Sequence, residues 1–473
     1  MDKTPLPHSS RNTLLKAIKP STHRIKIRTL LPLLLILLSI PCYSQGDSSV
    51  VQPAKPRLLV LTDIGGDPDD QQSLVRLLTY ANEFHIEGLL ATSRLAHGYD
   101  TRPEQIEILI KAYALVYDSL RHHADGYPRP DSLQTRVKSG LGDPSKLGAG
   151  WDTQASRWII EVAQRPDDHP LWISIWGGSR ELAQALWSVR DRCDDEALNA
   201  FIKKIRVFAV ADQDRWGYWI NKSFPELFYI YAGSCGHRSC QSFRGQYLTG
   251  DTSMQNRLWI DANVRKDHGP LGALYPRNGG GVSGMKEGDT PAFLFAYNNG
   301  LMNPEYPQWG GWGGRFDKDR EGYFVDAADL LDGSSDERHT VSRWRPFFQN
   351  EFAARMDWCR TANRDSANHP PLAVVNHLPG TAPIYLQAQP DRTILLDARA
   401  SLDPDGHRLT AHWWFYRQAS SYQGPLALAD ADSLCCRVTM PAAAAGKSIH
   451  LILQVTDSGV PPLTAFRRII LSQ

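Results

Sequence analysis

The amino-acid sequence predicts an α/β protein with a doubly wound, mostly parallel sheet, followed by a small all-β sandwich. Three observations carry that expectation. Short apolar runs alternate with amphipathic stretches over residues 57–210, the strand–helix rhythm of parallel sheets. The turns that end these runs are rich in glycine and aspartate. Beyond residue 370 the chain changes to short alternating segments with no helical period, separated by Asp/Gly/Pro turns.

The first run, Arg57–Thr62, lacks the polar alternation of a half-exposed strand and so reads as buried on both faces. Gln71–Asn82 then sets Leu74, Val75, Leu77, Leu78 and Ala81 on one helical face. Ile86–Thr92 is a second strand, which makes a right-handed βαβ unit. Leu171–Trp176, the Gly177-Gly178 turn and Arg180–Val189, with Ser179 as N-cap, repeat the pattern. Ile205–Val210 gives another strand, ending at Ala211-Asp212-Gln213-Asp214. In such sheets ligands bind beyond the carboxyl ends of the strands. Residues 57–370 are assigned to this domain. After a Pro/Gly-containing linker, residues 371–473 carry strands at Thr393–Leu396, Thr410–Tyr416, Leu434–Met440 and Ile449–Val455, as in an Ig-like sandwich.

The net charge of +1 over 473 residues conceals an asymmetry. Residues 1–44 hold seven of the 52 Lys/Arg and one of the 51 Asp/Glu, which leaves the remainder at −5. A mildly acidic body with no long basic run excludes an electrostatic case for nucleic-acid binding. The basic start, the apolar run Leu30–Leu38 and Cys42-Tyr43-Ser44 read as a signal peptide cleaved after Ser44, with residues 45–56 as a linker. An uncleaved anchor is the other reading of the same run. Export to the periplasm or the extracellular space is the expectation. Six cysteines remain after cleavage. Cys235 and Cys240 bracket a short loop that a disulfide can close, and no zinc spacing is present.

The most informative stretch is Thr62-Asp63-Ile64-Gly65-Gly66-Asp67-Pro68-Asp69-Asp70, with four carboxylates at the junction of the first strand and helix. Like charges this close are costly unless neutralised, and Ca²⁺ takes several carboxylate oxygens. Helix capping competes as an explanation. Asp67 before Pro68 suits an N-cap, and Asp69 and Asp70 suit the helix dipole. Capping leaves Asp63 unexplained.

Asp63, Asp69 and Asp70 after a buried strand resemble the DxDxGxDD signature of the inosine–uridine nucleoside hydrolases. The resemblance implies that Asp63 and Asp70 bind Ca²⁺ and that Asp69 contacts sugar hydroxyls. It places Gly65 where the general base is expected, which leaves Asp67 as the candidate catalytic carboxylate. Trp176-Gly177-Gly178-Ser179-Arg180 resembles the segment that supplies a backbone carbonyl to the metal, here that of Arg180. Glu287-Gly288-Asp289-Thr290-Pro291 resembles the closing element whose Asp, here Asp289, completes the metal shell; Asp289 also reads as an N-cap. With Asn82-Glu83-Phe84, Ile86-Glu87-Gly88 and Trp309-Gly310-Gly311-Trp312-Gly313-Gly314-Arg315, the chain is similar to the nucleoside-hydrolase-like "cellulose-binding protein" family over nearly all of residues 57–473.

Around this core, Ser93, Arg94 and His97 follow the second strand, and Asp212, Gln213, Asp214 and Asn221 follow a later one. Asp69, Arg94, His97, Asp212, Asp214, Asn221 and Trp312 are the candidate substrate contacts, since sugar hydroxyls need planar bidentate partners and an aromatic face. His97 and His237 are candidate acids for a leaving group. Trp216, Trp219 and Trp309 either stack on a ligand or fill domain seams. In Trp413-Trp414-Phe415-Tyr416, alternation puts one pair in a core. The expected function is an exported, metal-dependent hydrolase of glycosyl (N-ribosyl-like) bonds. Its ligand is a small sugar, a nucleoside or a polysaccharide. The alternatives are a non-catalytic carbohydrate-binding protein on the same fold, and an envelope scaffold.

Overall fold

In a computed structural model, residues 54–234, 240–278 and 284–473 are described. The segment read as a signal peptide, most of the linker, Cys235 and His237 lie outside the described residues.

The central sheet contains β1 (Arg57–Thr62), β2 (His85–Ala91), β3 (Val137–Ser139), β4 (Leu171–Ile175), β5 (Ile205–Val210), β6 (Phe228–Ala232), β7 (Phe316–Lys318) and β8 (Phe324–Asp326). Their order is β3-β2-β1-β4-β5-β6-β8-β7. All neighbours pair in parallel except β7 with β8. The chain therefore builds outward from β1 through β2 and β3, then returns to β1's other side with β4. That reversal opens a crevice at the carboxyl ends of β1 and β4.

The expected strands at 57–62, 86–92, 171–176 and 205–210 are all present within a residue. All six residues of β1 are buried. Leu58 and Val60 face a core built from the helices Pro68–Thr79, Pro103–His123 and Arg345–Trp358. Leu59 and Leu61 face a second core from Gln154–Gln164, Arg180–Arg192, Asp195–Lys203 and Trp216–Ser223. Burying each such aliphatic side chain contributes about 1.5–3 kcal/mol. A two-sided strand therefore has no polar face to show, which is why it reads as a continuous apolar run.

A short hairpin, β9 (Asp329–Leu331) and β10 (Ser334–Asp336), precedes the sandwich. One sheet there has the order β11-β17-β16-β13 and the other β12-β15-β14. These strands are β11 (Ile384–Gln387), β12 (Thr393–Asp397), β13 (Thr410–Phe415), β14 (Leu428–Ala429), β15 (Cys435–Thr439), β16 (Ile449–Thr456) and β17 (Thr464–Ser472). Trp413 and Cys436 lie in the sandwich's own core, with Phe415 packed against it. Trp414, Tyr416 and Phe466 instead pack into the first lobe, so neither aromatic face of β13 forms an open platform. Cys193, Cys359, Cys435 and Cys436 are free thiols, while Cys240 is disulfide-bonded.

The two lobes share one compact unit and a seam rich in aromatic and arginine side chains. Arg468 of β17 is buried and donates to the carbonyls of Leu301 (2.8 Å), Trp309 (3.0 Å) and Gly310 (3.0 Å). Tyr416 donates to Asp329 (2.8 Å), which Arg315 and Arg343 also hold at 2.9 and 2.7 Å. Trp312, 1 % exposed, sits in this seam against Tyr297, Phe348 and Phe466. A chain ended at residue 370 would expose this surface, and we expect it to aggregate or melt well below the intact protein. Intact protein should melt in one transition in scanning calorimetry; two separated transitions would contradict a shared core.

Candidate functional site

The crevice at β1 and β4 is a cavity of about 540 Å³, within the usual range of about 300–1,000 Å³ for small-ligand sites. Its floor is made where β1 ends. Thr62 donates its hydroxyl to Asp70, and the Ile64 amide bonds back to Thr62 Oγ1 at 3.2 Å. The Gly66 amide closes a turn on the Asp63 carbonyl at 3.1 Å. The helix then opens with Asp67 in N-cap conformation and Pro68 in the first turn, but the Asp67 side chain makes no capping bond. It reaches Lys286 Nζ at 2.5 Å and stands 3.9 Å from His97 Nε2. Side-chain capping therefore does not account for Asp67.

Asp69, Asp70 and Asp289 each offer a carboxylate oxygen within 4.8 Å of one another. Asp63 lies against Asp70, and its Oδ1 is so near Gly177 that a Cβ there would stand 2.6 Å away. Burial, and then Asp69, push the Asp63 carboxyl up to about 7. Burial and its acidic neighbours raise Asp70 and Asp289 well above the usual carboxylate range. Asp69 is raised by burial too, although Lys286, 3.3 Å away, opposes the shift. Asp289 is 3 % exposed, and its Oδ2 has no hydrogen-bond partner. An all-oxygen donor set, strongly self-repelling and with one buried oxygen unpartnered, fits a hard divalent cation such as Ca²⁺.

The loop carrying Asp289 is held by side chains that sequence reading did not single out. Gln72 accepts the amides of Lys286 (2.8 Å) and Glu287 (3.1 Å). Arg76 pairs with Glu287 at 2.6 Å, both fully buried, and Thr290 bonds Ser73 at 3.1 Å. All of these residues look like ordinary helix or loop polar positions, and only the fold brings them together. Lys286, Phe243, Arg244, Tyr247 and Gln241 complete the cavity wall. Most of that wall comes from an irregular segment with no period to mark it.

Arg94 and His97 line the cavity as expected, Arg94 being anchored on Asp100 (2.6 Å) and the Gly65 carbonyl (2.7 Å). Ser93 instead bonds the Gly142 carbonyl at 2.6 Å. Four candidate substrate contacts lie elsewhere. Asp214 is half-buried against the turn after β4, accepting the amides of Arg180 (2.9 Å) and Trp216 (3.1 Å); desolvation there lifts its carboxyl to about 6. Ser179 stands at the N-cap of the helix Arg180–Arg192, as expected, but its side chain makes no capping bond and Asp214 accepts the amide instead. Asp212 accepts the amides of Gly217 and Tyr218 at 2.9 Å each. With Asn221, it lines a neighbouring cleft of about 410 Å³ that also holds Tyr218, Tyr229, Tyr231 and Tyr323. Trp312 is a seam residue, removed from any ligand by its packing. Arg180 is not among the residues lining the acid cavity, and its guanidinium turns to the Lys146 and Trp151 carbonyls. Gly177 is the residue of that turn that meets Asp63. From the β5 turn Ala211 and Gln213 reach the cavity wall, and Gln213 donates to the Trp176 carbonyl at 2.5 Å.

A parallel sheet with carboxylates at its switch point and a trailing sandwich defines a nucleoside-hydrolase-like protein. The chain belongs to the family described as cellulose-binding Sde182, nucleoside hydrolase-like domain, which matches residues 57–316. Residues 393–473 match the C-terminal domain of the cellulose-binding protein Sde0182. Among solved structures the chain is similar to a nucleoside hydrolase-related hypothetical protein from Saccharophagus degradans that is associated with carbohydrate metabolism. That likeness has a TM-score of 0.76 and 35 % identity, covering 89 % of this chain and 100 % of that one. The effector protein XOO4466, at 9 % identity and a TM-score of 0.35 over 66 % of this chain and 95 % of that one, is too distant to inform the site. No curated protein matches the chain.

Two outcomes follow from the geometry. Gly177→Ala should push Asp63 aside and weaken Ca²⁺ binding about 10–100-fold in calorimetric titration, the scale set by disturbing a ligand's support. The raised carboxyl pKa values mean that the folded state holds protons more tightly than the unfolded one. That contribution is complete below the unfolded carboxyl pKa and is lost as pH rises through about 7. In chelator, the melting temperature should therefore fall as pH rises through that window, and saturating Ca²⁺ should flatten the dependence.

Proposed function

We propose that this protein is an exported, Ca²⁺-dependent hydrolase of glycosyl bonds acting on a sugar seated in the acid cavity. The observation that supports it most is the convergence of Asp63, Asp69, Asp70 and Asp289 on the floor of a ligand-sized cavity. Asp63, Asp70 and Asp289 would hold the cation, and Asp69, beside Lys286, would accept sugar hydroxyls. When bound, the cation supplies neutralisation of this charge and polarisation of a ligand oxygen. Asp67, at the rim, is the carboxylate available to take a proton from water as the glycosyl bond breaks. His97, close to Asp67, is the group placed to give one to the departing atom. Arg94 and Arg244 line the wall and can hold the sugar's outer oxygens.

The cleft with Asp212, Asn221 and four tyrosines supports a longer, polysaccharide ligand. The 211–214 turn contributes to this cleft and to the acid cavity, Ala211 and Gln213 lining the cavity and Asp212 the cleft. The family's description as cellulose-binding, and that of the Saccharophagus protein as associated with carbohydrate metabolism, agrees with that ligand class. Export is supported by the N-terminal pattern and by the disulfide at Cys240, a bond of oxidising compartments.

A second reading, carbohydrate binding without turnover, draws on Gly65. This residue has φ +89° and packs on Arg102 and Arg94, so no carboxylate stands where the resemblance expects a base. Two variants separate the readings. Asp70→Asn should weaken Ca²⁺ more than about 100-fold in calorimetric titration, beyond the range seen for outer-sphere changes. Asp67→Asn should keep Ca²⁺ affinity but lower kcat about 10²–10⁴-fold on nitrophenyl glycosides or nucleosides. Turnover unchanged in Asp67→Asn would remove that residue as base. No turnover of any such substrate by the Ca²⁺-loaded protein, with binding intact, would establish the second reading.

A further inference from the structure

A second group of metal-competent side chains lies in the sandwich, far from the acid floor in sequence. Asp403, His407 and Asp457 each offer one ligand atom within 4.8 Å of the others. The Asp403 side chain is 1 % exposed. Its Oδ1 accepts the amides of Asp405 (3.0 Å) and His407 (2.9 Å), while its buried Oδ2 has no hydrogen-bond partner. His407 Nδ1, 3.5 Å from Asp403 Oδ1, is also buried and without a hydrogen bond. Asp457 is set in place by the amides of Gly459 (2.9 Å) and Leu463 (3.0 Å) and by the Asn368 amide nitrogen (3.1 Å to each oxygen). The other acid of the turn, Asp405, is engaged elsewhere. It accepts the backbone amide of His369 at 2.7 Å and pairs with its Nδ1 at 3.0 Å.

Buried polar atoms left without partners each cost about 1–3 kcal/mol, and a fold retains them where something satisfies them. The backbone here commits two carboxylates and an imidazole to one point and gives the facing oxygen and nitrogen no protein partner. The donor set differs from that of the acid floor. Ca²⁺ and Mg²⁺ take oxygen ligands, whereas an imidazole beside carboxylates suits a first-row cation such as Zn²⁺. Zn²⁺ with three protein ligands keeps an open position for water. An adjoining cavity of about 540 Å³, lined by His407, Asn368, Pro404 and Gly459, provides room for that water.

We infer that Asp403, His407 and Asp457 form a structural site for a Zn²⁺-class cation, fastening the Asp403–His407 turn to the loop after β16. The consequence reaches the seam. The same turn holds His369 through Asp405, and His369 stacks on His123 and Trp358 of the first lobe. An occupied site would stiffen the junction of the two lobes.

The test is Zn²⁺ titration by calorimetry, with thermal melts, on tag-free protein carrying Asp70→Asn so that the acid floor does not compete. One equivalent of Zn²⁺ should bind and raise the melting temperature. Adding Asp403→Asn or His407→Gln should weaken that binding at least about 100-fold and abolish the rise. His407 is partly exposed, so His407→Gln carries the test if Asp403→Asn fails to fold. Absence of Zn²⁺ binding, or binding that His407→Gln leaves unchanged, would overturn the inference. Either result is independent of Ca²⁺ binding at Asp70, which is read in protein without that substitution.

Discussion

The ion pair between Arg76 and Glu287 is the contact on which the rest of the first lobe depends. Both side chains are fully buried at 2.6 Å, and removing one partner of such a pair costs about 3–5 kcal/mol because the other charge is stranded. Arg76 also donates to the Phe348 carbonyl (3.1 Å) and Gln349 (2.6 Å) and lies over the Phe352 ring. Glu287 accepts from Tyr275 (2.7 Å) and Thr290 (3.0 Å). One guanidinium thus joins the first helix, the loop bearing Asp289 and the last helix of the lobe. The acid floor exists because this joint sets Asp289 beside Asp69 and Asp70.

That floor is electrostatically unfinished. Lys286 offsets part of the negative charge, but it sits on the rim side, between Asp67 and Asp69, and leaves Asp63, Asp70 and Asp289 to repel one another. The fold accepts this repulsion through strong surroundings: the Thr62 hydroxyl on Asp70, the close glycine at 177, and strand ends that cannot move. The arrangement is therefore held in place before it is neutralised, which suits the cation proposed for it.

Sequence reading recovered the elements whose signal is local. β1, β2, β4 and β5 stand out because strands buried on both faces show unbroken apolar runs, whereas β3, β7 and β8, with three residues each, carry too little pattern. Asp63, Asp69 and Asp70 were legible because a single turn holds them. Asp212, Asp214 and Asn221 stand at the expected sheet edge but outside the acid cavity, Asp212 and Asn221 lining the neighbouring cleft. Left-handed backbone at Ala211 (φ +61°) and Arg215 (φ +66°) turns both carboxylates back onto nearby amides, and residue identity does not announce such angles. Trp312 reads as a ligand contact because a tryptophan face suits a sugar, and the residue type alone does not separate that role from a domain seam. Its partner Phe466 lies in the other lobe, as the carbonyl partners of Arg468 lie across the seam from that arginine. Arg76 and Glu287 stand 211 residues apart, beyond any periodicity.

Gly65 also bears on how this lineage can change. Its φ of +89° suits only glycine, and the space a side chain would take is already filled by Arg102 and Arg94, with carbon atoms 3.2 and 3.5 Å from the would-be Cβ. A carboxylate cannot return there by one substitution, because the turn and two arginines would have to shift with it. A single substitution that adds an acid to this turn is therefore easier to accommodate at the open rim than at the filled strand side.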